Sequence, residues 1–279
     1  MSAERETRPV VVKCGGNAAV DPAAICADVA ELVGAGRAVV LAHGGSAEID
    51  SLGERLGVRR RRLVAPDGVT TRHTDGPTLE VVQLALAGLV KPRLVRALGA
   101  AGLIAVGLTG IDGGLLRARR KTAHRAIVGG RRVIVRDDHS GRVVEVNGEL
   151  LRTLLRAGLL PVVSPPALAE DERPVNVDAD RAAAAMAAAL GAETLVMLTG
   201  APGVLADPAD ERSVLATCEV PAGGAPPHRG GGIGVKLIAA REALVAGVPR
   251  VLIADGRRDR PVLAALSGRA TRITLRGAA

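Results

Sequence analysis

Short and almost uninterrupted apolar runs alternate with stretches of helical periodicity along this chain of 279 residues. A strand that is apolar at nearly every position is buried on both faces, as in a parallel sheet covered by helices. The alternation therefore predicts an α/β fold with a mainly parallel central sheet. The predicted strands span 10–12, 38–42, 103–108, 159–163, 194–198 and 250–253. The predicted helices span 22–33, 47–56, 78–89, 148–157, 179–190 and 235–246.

One segment, near residues 115–146, interrupts this alternation. Residues 127–135 read as a β-hairpin, because two apolar runs flank the dipeptide Gly129-Gly130. A further strand follows at 141–146. We expect this antiparallel hairpin insertion to lie at the substrate end of an N-terminal lobe.

The chain contains no Phe, Tyr or Trp, although apolar residues make up 48% of it. The apolar content supports a large core and excludes wholesale disorder. Omission of all three aromatic types by chance over this length is not credible, so we interpret the sequence as an engineered or reconstructed variant of a natural parent. The composition also excludes stacking of nucleic-acid bases on aromatic side chains, and we expect no nucleic-acid partner.

The cysteines and the N-terminus predict a cytoplasmic protein. The three cysteines include no Cys-x-x-Cys pair, which argues against a disulfide framework or a zinc knuckle. No apolar stretch approaches the roughly 18 residues that a membrane-spanning helix needs, and the charged first residues lack the apolar region of a signal peptide. We therefore expect no contact with a membrane.

Glycine-rich segments follow three of the predicted strands, as Lys13-Cys14-Gly15-Gly16-Asn17, His43-Gly44-Gly45-Ser46 and Thr199-Gly200-Ala201-Pro202-Gly203. A Gly-Gly pair alone is an ordinary turn signal. Three such loops at the carboxyl ends of parallel strands favour a phosphate ligand, because glycines let backbone N–H groups approach an anion there.

Two lysines and one aspartate accompany these loops. Lys13 ends the first strand, and Lys236 follows a glycine-rich stretch that enters a helix. Neither segment has the spacing of a P-loop. Asp180 stands at the start of another helix, where Asp178 is the better candidate for the helix cap.

Because no Gly-x-Gly-x-x-Gly fingerprint for dinucleotide binding follows a predicted strand, we do not expect an enzyme that transfers hydride.

These segments, in this order, resemble the amino acid kinase family, and in particular its acetylglutamate kinase branch, over essentially the whole chain. The other matching pieces are Asp67-Gly68, Arg72-His73-Thr74-Asp75, Gly107-Leu108-Thr109-Gly110, Asp112-Gly113, Glu145-Val146-Asn147, Asn176-Val177-Asp178-Ala179-Asp180, Leu198-Thr199-Gly200-Ala201-Pro202-Gly203-Val204-Leu205 and Gly230-Gly231. Residues 113–123 and 136–143 look like the members that act on aminoadipate or glutamate tethered to the carrier protein LysW.

The resemblance implies a three-layer α/β/α sandwich that forms a homodimer. It implies an N-terminal lobe, 1–165, for the acyl amino acid and dimerisation, and a C-terminal lobe, 166–279, for ATP. The implied reaction moves the ATP γ-phosphoryl group onto a side-chain carboxylate and gives an acyl phosphate. ATP arrives with Mg²⁺ on its phosphates, and no tightly bound protein metal is expected.

The resemblance also implies roles for individual residues. Lys13 and Lys236 stabilise the transferring phosphoryl group, and Asp180 holds both lysines. The residues implied in substrate binding are Gly44, Gly45, Arg72 and Asn176. Those implied in nucleotide binding are Gly15, Gly16, Thr199, Gly200, Gly203 and Val204.

A basic stretch between residues 117 and 136 bears on the substrate. It holds eight lysines and arginines and no acidic residue, in a chain with a net charge of +8. Such a run is often only a solvated face. An acidic carrier protein such as LysW would be attracted to it and held in register. The expected carrier contacts are Arg117, Arg119, Arg120, Lys121, Arg131 and Arg132.

The sequence leaves other functions open. An N-acetylglutamate kinase of arginine synthesis is the alternative within the family. A non-catalytic protein that senses nucleotides or amino acids on the same fold is an alternative of another class, although a sensor would be free to lose one of Lys13, Asp180 and Lys236. A basic nucleic-acid-binding protein is a third.

Overall fold

The computed structural model describes residues 8–16, 20–64, 70–121, 123–128, 131–224, 226–227 and 231–277. The strands are β1 (Val10–Cys14), β2 (Val39–His43), β3 (Arg62–Val64), β4 (Thr70–Arg72), β5 (Ala105–Thr109), β6 (Leu116–Arg120), β7 (His124–Val128), β8 (Arg131–Val135), β9 (Gly141–Val146), β10 (Leu160–Ser164), β11 (Ala167–Ala169), β12 (Pro174–Val175), β13 (Thr194–Thr199), β14 (Thr217–Val220), β15 (Val251–Asp255) and β16 (Thr271–Leu275). The helices are α1 (Pro22–Gly34), α2 (Ser46–Arg55), α3 (Gly76–Gln83), α4 (Lys91–Ala100), α5 (Gly148–Arg156), α6 (Ala179–Ala189), α7 (Gly231–Val245) and α8 (Pro261–Leu266).

The central sheet has eight strands in the order β14-β16-β15-β13-β1-β2-β10-β5. All six strands predicted from apolar runs lie side by side in it and run parallel. At one end of the sheet, β14 and β16 are parallel to each other, and β16 pairs antiparallel with β15. The prediction of a mainly parallel central sheet is confirmed.

Helices cover both faces of this sheet. Along β1, Val10 and Val12 pack in a cluster with residues of α1, α4 and α8. Val11, between them, packs on the opposite face with residues of α5, α6 and α7. The molecule is therefore the three-layer α/β/α sandwich that the resemblance implies. Its largest fully buried side chains are leucine, isoleucine and methionine, which fill the core without rings.

The helix predicted at 78–89 extends further than its sequence indicates. Helix α3 continues through a π-helical segment, Leu84–Val90, directly into α4. The prediction that the helix ends at residue 89 is wrong. Pro92 lies in the first turn of α4, where a proline is tolerated, so the helical path continues past it. Helix α7 likewise begins at Gly231, four residues before its predicted start, so the glycines before Lys236 belong to its first turns.

The predicted hairpin is present, since β7 and β8 pair antiparallel; its Gly129-Gly130 turn lies outside the described residues. The structure divides the insertion between two small sheets. The hairpin joins β3 and β4, whereas β9 pairs with β6 in a sheet of order β12-β11-β6-β9. Within the described ranges, no helix is both long enough and apolar enough to cross a membrane.

Candidate active site

A cavity of about 640 Å³ opens where β1, β2, β10 and β13 end. Its walls include residues from both glycine loops that follow β1 and β2, and from the loop that follows β13. Parallel strands deliver their following loops to one edge of a sheet, which is where ligands bind in open α/β folds. The cavity therefore lies where the three glycine segments predict an anion site.

The first two glycine loops touch through their backbones. A side chain at Gly16 would place its Cβ 2.4 Å from the backbone nitrogen of Gly45 and 2.6 Å from that of Ser46. The Ser46 hydroxyl donates a hydrogen bond of 2.7 Å to the Gly16 carbonyl, and the Ala47 amide donates to the same oxygen at 3.0 Å. Only glycine fits at residue 16 without separating the two loops.

Lys13, Asp180 and Lys236 form a buried ionic cluster in the wall of the cavity. The Lys13 ammonium lies 2.9 Å from Asp180 Oδ1, and the Lys236 ammonium lies 2.9 and 3.0 Å from Asp180 Oδ1 and Oδ2. These side chains come from β1, α6 and α7, and each residue is less than a tenth exposed. One carboxylate thus holds two cations side by side, as the resemblance implies.

Lys13, Asp180 and Lys236 together carry one net positive charge, and the carboxylate of Asp178 lies near both lysines. Burial opposes ionisation of Asp180, but Lys13 and Lys236 outweigh it and lower its pKa to about 2. Burial likewise opposes the charge on Lys13, yet Asp180 and Asp178 raise its pKa above the ordinary value. For Lys236, burial and the nearby Lys13 prevail and lower the pKa. Two cations sharing one anion attract a further anion.

The start of α6 fixes Asp180 in this position. Asp178 is the N-cap of α6, and its carboxylate accepts hydrogen bonds of 3.0 Å from the amides of Asp180 and Arg181. The guanidinium of Arg181 then binds Glu242 of α7 with two bonds of 2.9 and 2.6 Å. This bidentate pair ties the helix that carries Asp180 to the helix that carries Lys236.

The implied substrate residues line the same cavity. Gly44 and Gly45 lie beside Gly16, and Asn176 donates a hydrogen bond of 3.1 Å to the Thr74 hydroxyl. Arg72 also lines the cavity, but its guanidinium lies 2.6 Å from the carboxylate of Asp50.

The implied nucleotide residues are divided. Gly15, Gly16, Thr199 and Gly200 line the cavity. Gly203 and Val204 do not line it; they pack against Thr271, whose hydroxyl accepts a 3.0 Å hydrogen bond from the Val204 amide.

The basic stretch is partly neutralised by an acidic loop that is distant in sequence. Arg117 pairs with Glu172 at 2.5 Å, and Arg120 pairs with Asp171 at 3.2 Å. The side chain of Arg119 is exposed, and those of Arg131 and Arg132 lie outside the described part of the chain. Lys121 lines the cavity.

Three arginines that the sequence analysis did not assign to the site also line the cavity: Arg60, Arg61 and Arg62. All three are exposed at its rim, and Arg60 shares Asp50 with Arg72. Their cluster in the sequence was visible, but only the pairing of β3 with β4 brings them beside Arg72.

Two further side chains near the loops have packing roles. Burial raises the pKa of the Cys14 thiol to about 12, so it stays protonated. Burial lowers the pKa of His43 to about 4, and its neutral ring donates from Nδ1 to the Gly44 carbonyl at 2.9 Å. In the part of the chain that the structure describes, no group of three or more His, Cys, Asp or Glu side chains is placed to hold a metal ion.

Comparison with known proteins gives a matching family and several similar kinases. Residues 8–255 match the model of the amino acid kinase family. The chain is 42% identical to a LysW-aminoadipate kinase of Thermus thermophilus, over 94% of this chain and 98% of that protein. It is 40% identical to a LysW-aminoadipate kinase of Deinococcus radiodurans, over 94% of this chain and 90% of that protein.

The chain is also similar to an acetylglutamate kinase and, in fold, to a carbamate kinase. An acetylglutamate kinase of Symbiobacterium thermophilum is 39% identical, over 90% of this chain and 85% of that protein. The solved structure of a carbamate kinase from Giardia superposes with a TM-score of 0.65 at 18% identity, over 97% of this chain and 99% of that one, which shows a shared fold.

Proposed function

The chain belongs to the amino acid kinase family, and we propose that it phosphorylates the side-chain carboxylate of aminoadipate, or of glutamate, bound to an acidic carrier protein of the LysW kind. The observation that carries this proposal is the Lys13–Asp180–Lys236 cluster in the wall of a cavity built from glycine loops. A phosphoryl transition state spreads negative charge over its oxygens, and fixed cations stabilise it.

In the proposed reaction, an oxygen of the substrate carboxylate attacks the γ-phosphorus of ATP. The bond from that phosphorus to the β–γ bridging oxygen breaks, and ADP leaves with the electron pair of that bond. Lys13 and Lys236 neutralise the transferring group and the leaving diphosphate. Asp180 keeps the two ammonium groups in place and charged. Mg²⁺ enters on the nucleotide as part of the substrate.

Two groups of residues support two binding regions, which meet where Gly16 contacts Gly45. Gly44, Gly45, Arg72 and Asn176 would hold the amino acid. The residues that would hold the nucleotide are Gly15, Gly16, Thr199 and Gly200, with Gly203 and Val204 outside the cavity lining. The amino-acid residues fall mostly before residue 165 and the nucleotide residues mostly after it, in keeping with the two predicted lobes, 1–165 and 166–279.

The carrier is proposed from the two LysW-aminoadipate kinases and from the charge of this chain. A net charge of +8 and the basic stretch at 117–136 favour an acidic partner. The expected contacts include Arg117, Arg119, Arg120, Lys121, Arg131 and Arg132. We also propose a homodimer that works in the cytoplasm in lysine or arginine biosynthesis.

N-acetylglutamate kinase is the second candidate, because the Symbiobacterium acetylglutamate kinase is 39% identical to this chain. A sensor without catalysis is disfavoured, because all three charged groups of the cluster are present and in contact.

The experiment that tests the proposal traps the acyl phosphate with hydroxylamine in the presence of ATP and Mg²⁺. Three substrates are compared: LysW-linked aminoadipate, LysW-linked glutamate and free N-acetylglutamate. We expect hydroxamate from a carrier-linked substrate. Turnover of N-acetylglutamate alone would assign the chain to the second candidate, and ATP binding without hydroxamate from any substrate would favour a sensor.

A further inference from the structure

Helices α6 and α7 carry two of the three charged groups of the Lys13–Asp180–Lys236 cluster. The buried apolar residues of these two helices are mostly alanine: Ala182, Ala183, Ala184 and Ala187 on α6, and Ala239, Ala240 and Ala243 on α7. A methyl group makes few contacts, and methyl groups interlock less than long side chains do. Apolar packing alone therefore fixes the position of one helix along the other only weakly.

Between the described residues of α6 and α7 there are two polar contacts. One is the contact of Lys236 with Asp180 in the cluster. In the other, Nε and Nη2 of Arg181 donate to the Glu242 carboxylate at 2.9 and 2.6 Å. Two bonds from one guanidinium fix the direction of the contact as well as its length. Arg142 of β9 approaches the same carboxylate at 3.5 Å, so Glu242 connects α7 to α6 and to β9.

The cluster by itself does not hold the Lys236 ammonium firmly. Burial and the charge of Lys13 oppose its ionisation, and Asp180 and Asp178 offset them only in part, so its pKa is lowered. A buried cation in such surroundings moves toward water when the element that carries it is free to shift. Helix α7 therefore needs a restraint from outside the cluster, and Glu242 lies outside the cavity lining.

We infer that Arg181 and Glu242 are positioning residues for the phosphoryl transfer: their bidentate pair fixes α7 against α6 and so holds the Lys236 ammonium beside the transferring group. This inference rests on the proposed function. Displacement of a reacting group by about 1 Å can reduce a rate about 100-fold. The pair itself adds little stability, because its side chains are 23% and 25% exposed. Its loss should lower kcat without a matching loss of stability.

A double-mutant cycle on kcat tests this role. Arg181 lines the cavity and Glu242 does not, so the cycle separates positioning from a direct contact between Arg181 and the substrate. The variants are Glu242→Gln, Arg181→Gln and the double variant, with Glu193→Gln as the matched control. Glu193 also pairs with an arginine, Arg37, and it precedes β13 at the end of the sheet opposite the cavity. Hydroxamate formation with LysW-linked aminoadipate gives kcat and KM, and thermal melting shows whether each variant is folded.

We expect each single variant of the pair to lower kcat about 10-fold and the double variant to lose no more than either, because all three break the same contact. KM for ATP should stay within about 3-fold of the wild-type value, and Glu193→Gln should match the wild-type protein. Arg181→Lys keeps the charge without the two-bond geometry and should also lose activity. A loss with Arg181→Gln but not with Glu242→Gln would overturn the inference, as would a loss of about 100-fold in the double variant.

Failure of the proposed function gives a different result. A wild-type protein that ignores both LysW conjugates refutes the carrier substrate, and the same cycle is then run with N-acetylglutamate. A wild-type protein that forms no hydroxamate from any substrate refutes the kinase activity, and NMR then tests the pair without turnover. Labelling of lysine with ¹³C at Cε gives four signals, because the lysines of the chain are Lys13, Lys91, Lys121 and Lys236. The spectrum of Lys236→Met assigns the signal of interest.

The pKa of Lys236 reports whether the pair holds the lysine beside Asp180. Asp180 is the group that does most to raise this pKa, so loosening of α7 from α6 should lower it in both Glu242→Gln and Arg181→Gln. The two substitutions change the net charge in opposite directions. An effect of charge at a distance would lower the pKa in Glu242→Gln and raise it in Arg181→Gln, and that result would overturn the inference.

Discussion

Replacing Asp180 with Asn removes the one negative charge that holds Lys13 and Lys236 together. The amide keeps the size of the side chain, and the Asp178 cap of α6 is untouched. Two ammonium groups, each bonded to this carboxylate at 2.9 Å and each in a residue less than a tenth exposed, then lose their shared partner and keep only the attraction of Asp178. Breaking a buried ion pair in this way costs about 3 to 5 kcal/mol of folding free energy. We expect a loss of that size at pH 7, and a fall in kcat of about 100-fold or more because the lysines lose their positions.

The pH dependence distinguishes this explanation from a simple packing defect. Without Asp180, the pKa values of both lysines fall below the ordinary value near 10.4. In the window between the lowered pKa and that value, the unfolded chain binds more protons than the folded one, so stability rises with pH. In the wild-type chain, Asp180 holds the pKa of Lys13 above its ordinary value, so Lys13 gives no such rise and Lys236, whose pKa is already lowered, gives one in both proteins. The stability deficit of Asp180→Asn should therefore shrink by about 1 to 2 kcal/mol between pH 7 and pH 9.5.

Urea unfolding at the two pH values measures this deficit, with Asp28→Asn as the control. Asp28 is also buried and accepts hydrogen bonds of 2.8 and 3.1 Å from the amides of Val262 and Leu263 at the start of α8. Its neighbour Arg260 stays charged throughout the pH range, so the deficit of Asp28→Asn should not change. An Asp180→Asn deficit that is the same at both pH values would refute the electrostatic account of the cluster.

Two other predictions follow from the loops. Gly16→Ala should abolish hydroxamate formation and lower the stability of the protein, because the new Cβ would lie 2.4 Å from the Gly45 nitrogen. The control Gly34→Ala, whose Cβ would have nothing within 4 Å, should behave like the wild-type protein. Equal activity of the two variants would show that the loops do not need this contact. Burial raises the pKa of Cys14 to about 12, so iodoacetamide at pH 8 should leave Cys14 unlabelled in the native protein and label it in guanidinium, as read by mass spectrometry. Rapid labelling of native Cys14 would contradict its buried position.

The central sheet was predictable because its inner strands are buried on both faces and are therefore apolar throughout. Strands β14 and β16, at one end of the sheet, were not predicted because they lack this pattern. They alternate buried and exposed residues, so each shows only a weak apolar pattern. Helix α4 was not predicted, because a proline such as Pro92 usually indicates the end of a helix. In the structure, Pro92 lies in the first turn of α4, which directly follows the π-helical segment.

The candidate site was predictable where it depends on local motifs. Lys13, Asp180 and Lys236 each stand beside a recognisable loop or helix start, and the fold brings them into contact. The environment of the basic stretch was not predictable. The acidic residues that pair with Arg117 and Arg120 come from a loop about 50 residues away, and only the pairing of β6 with β11 brings them together.

The most direct test of the central claim is the stoichiometry of ADP and hydroxamate with LysW-linked aminoadipate, ATP and Mg²⁺, for the wild-type protein and for Lys236→Met. The wild-type protein should form one hydroxamate for each ADP, and Lys236→Met should be folded but form neither at a comparable rate. ADP released by the wild-type protein without hydroxamate, or full activity of Lys236→Met, would contradict phosphoryl transfer to a carboxylate at this cluster.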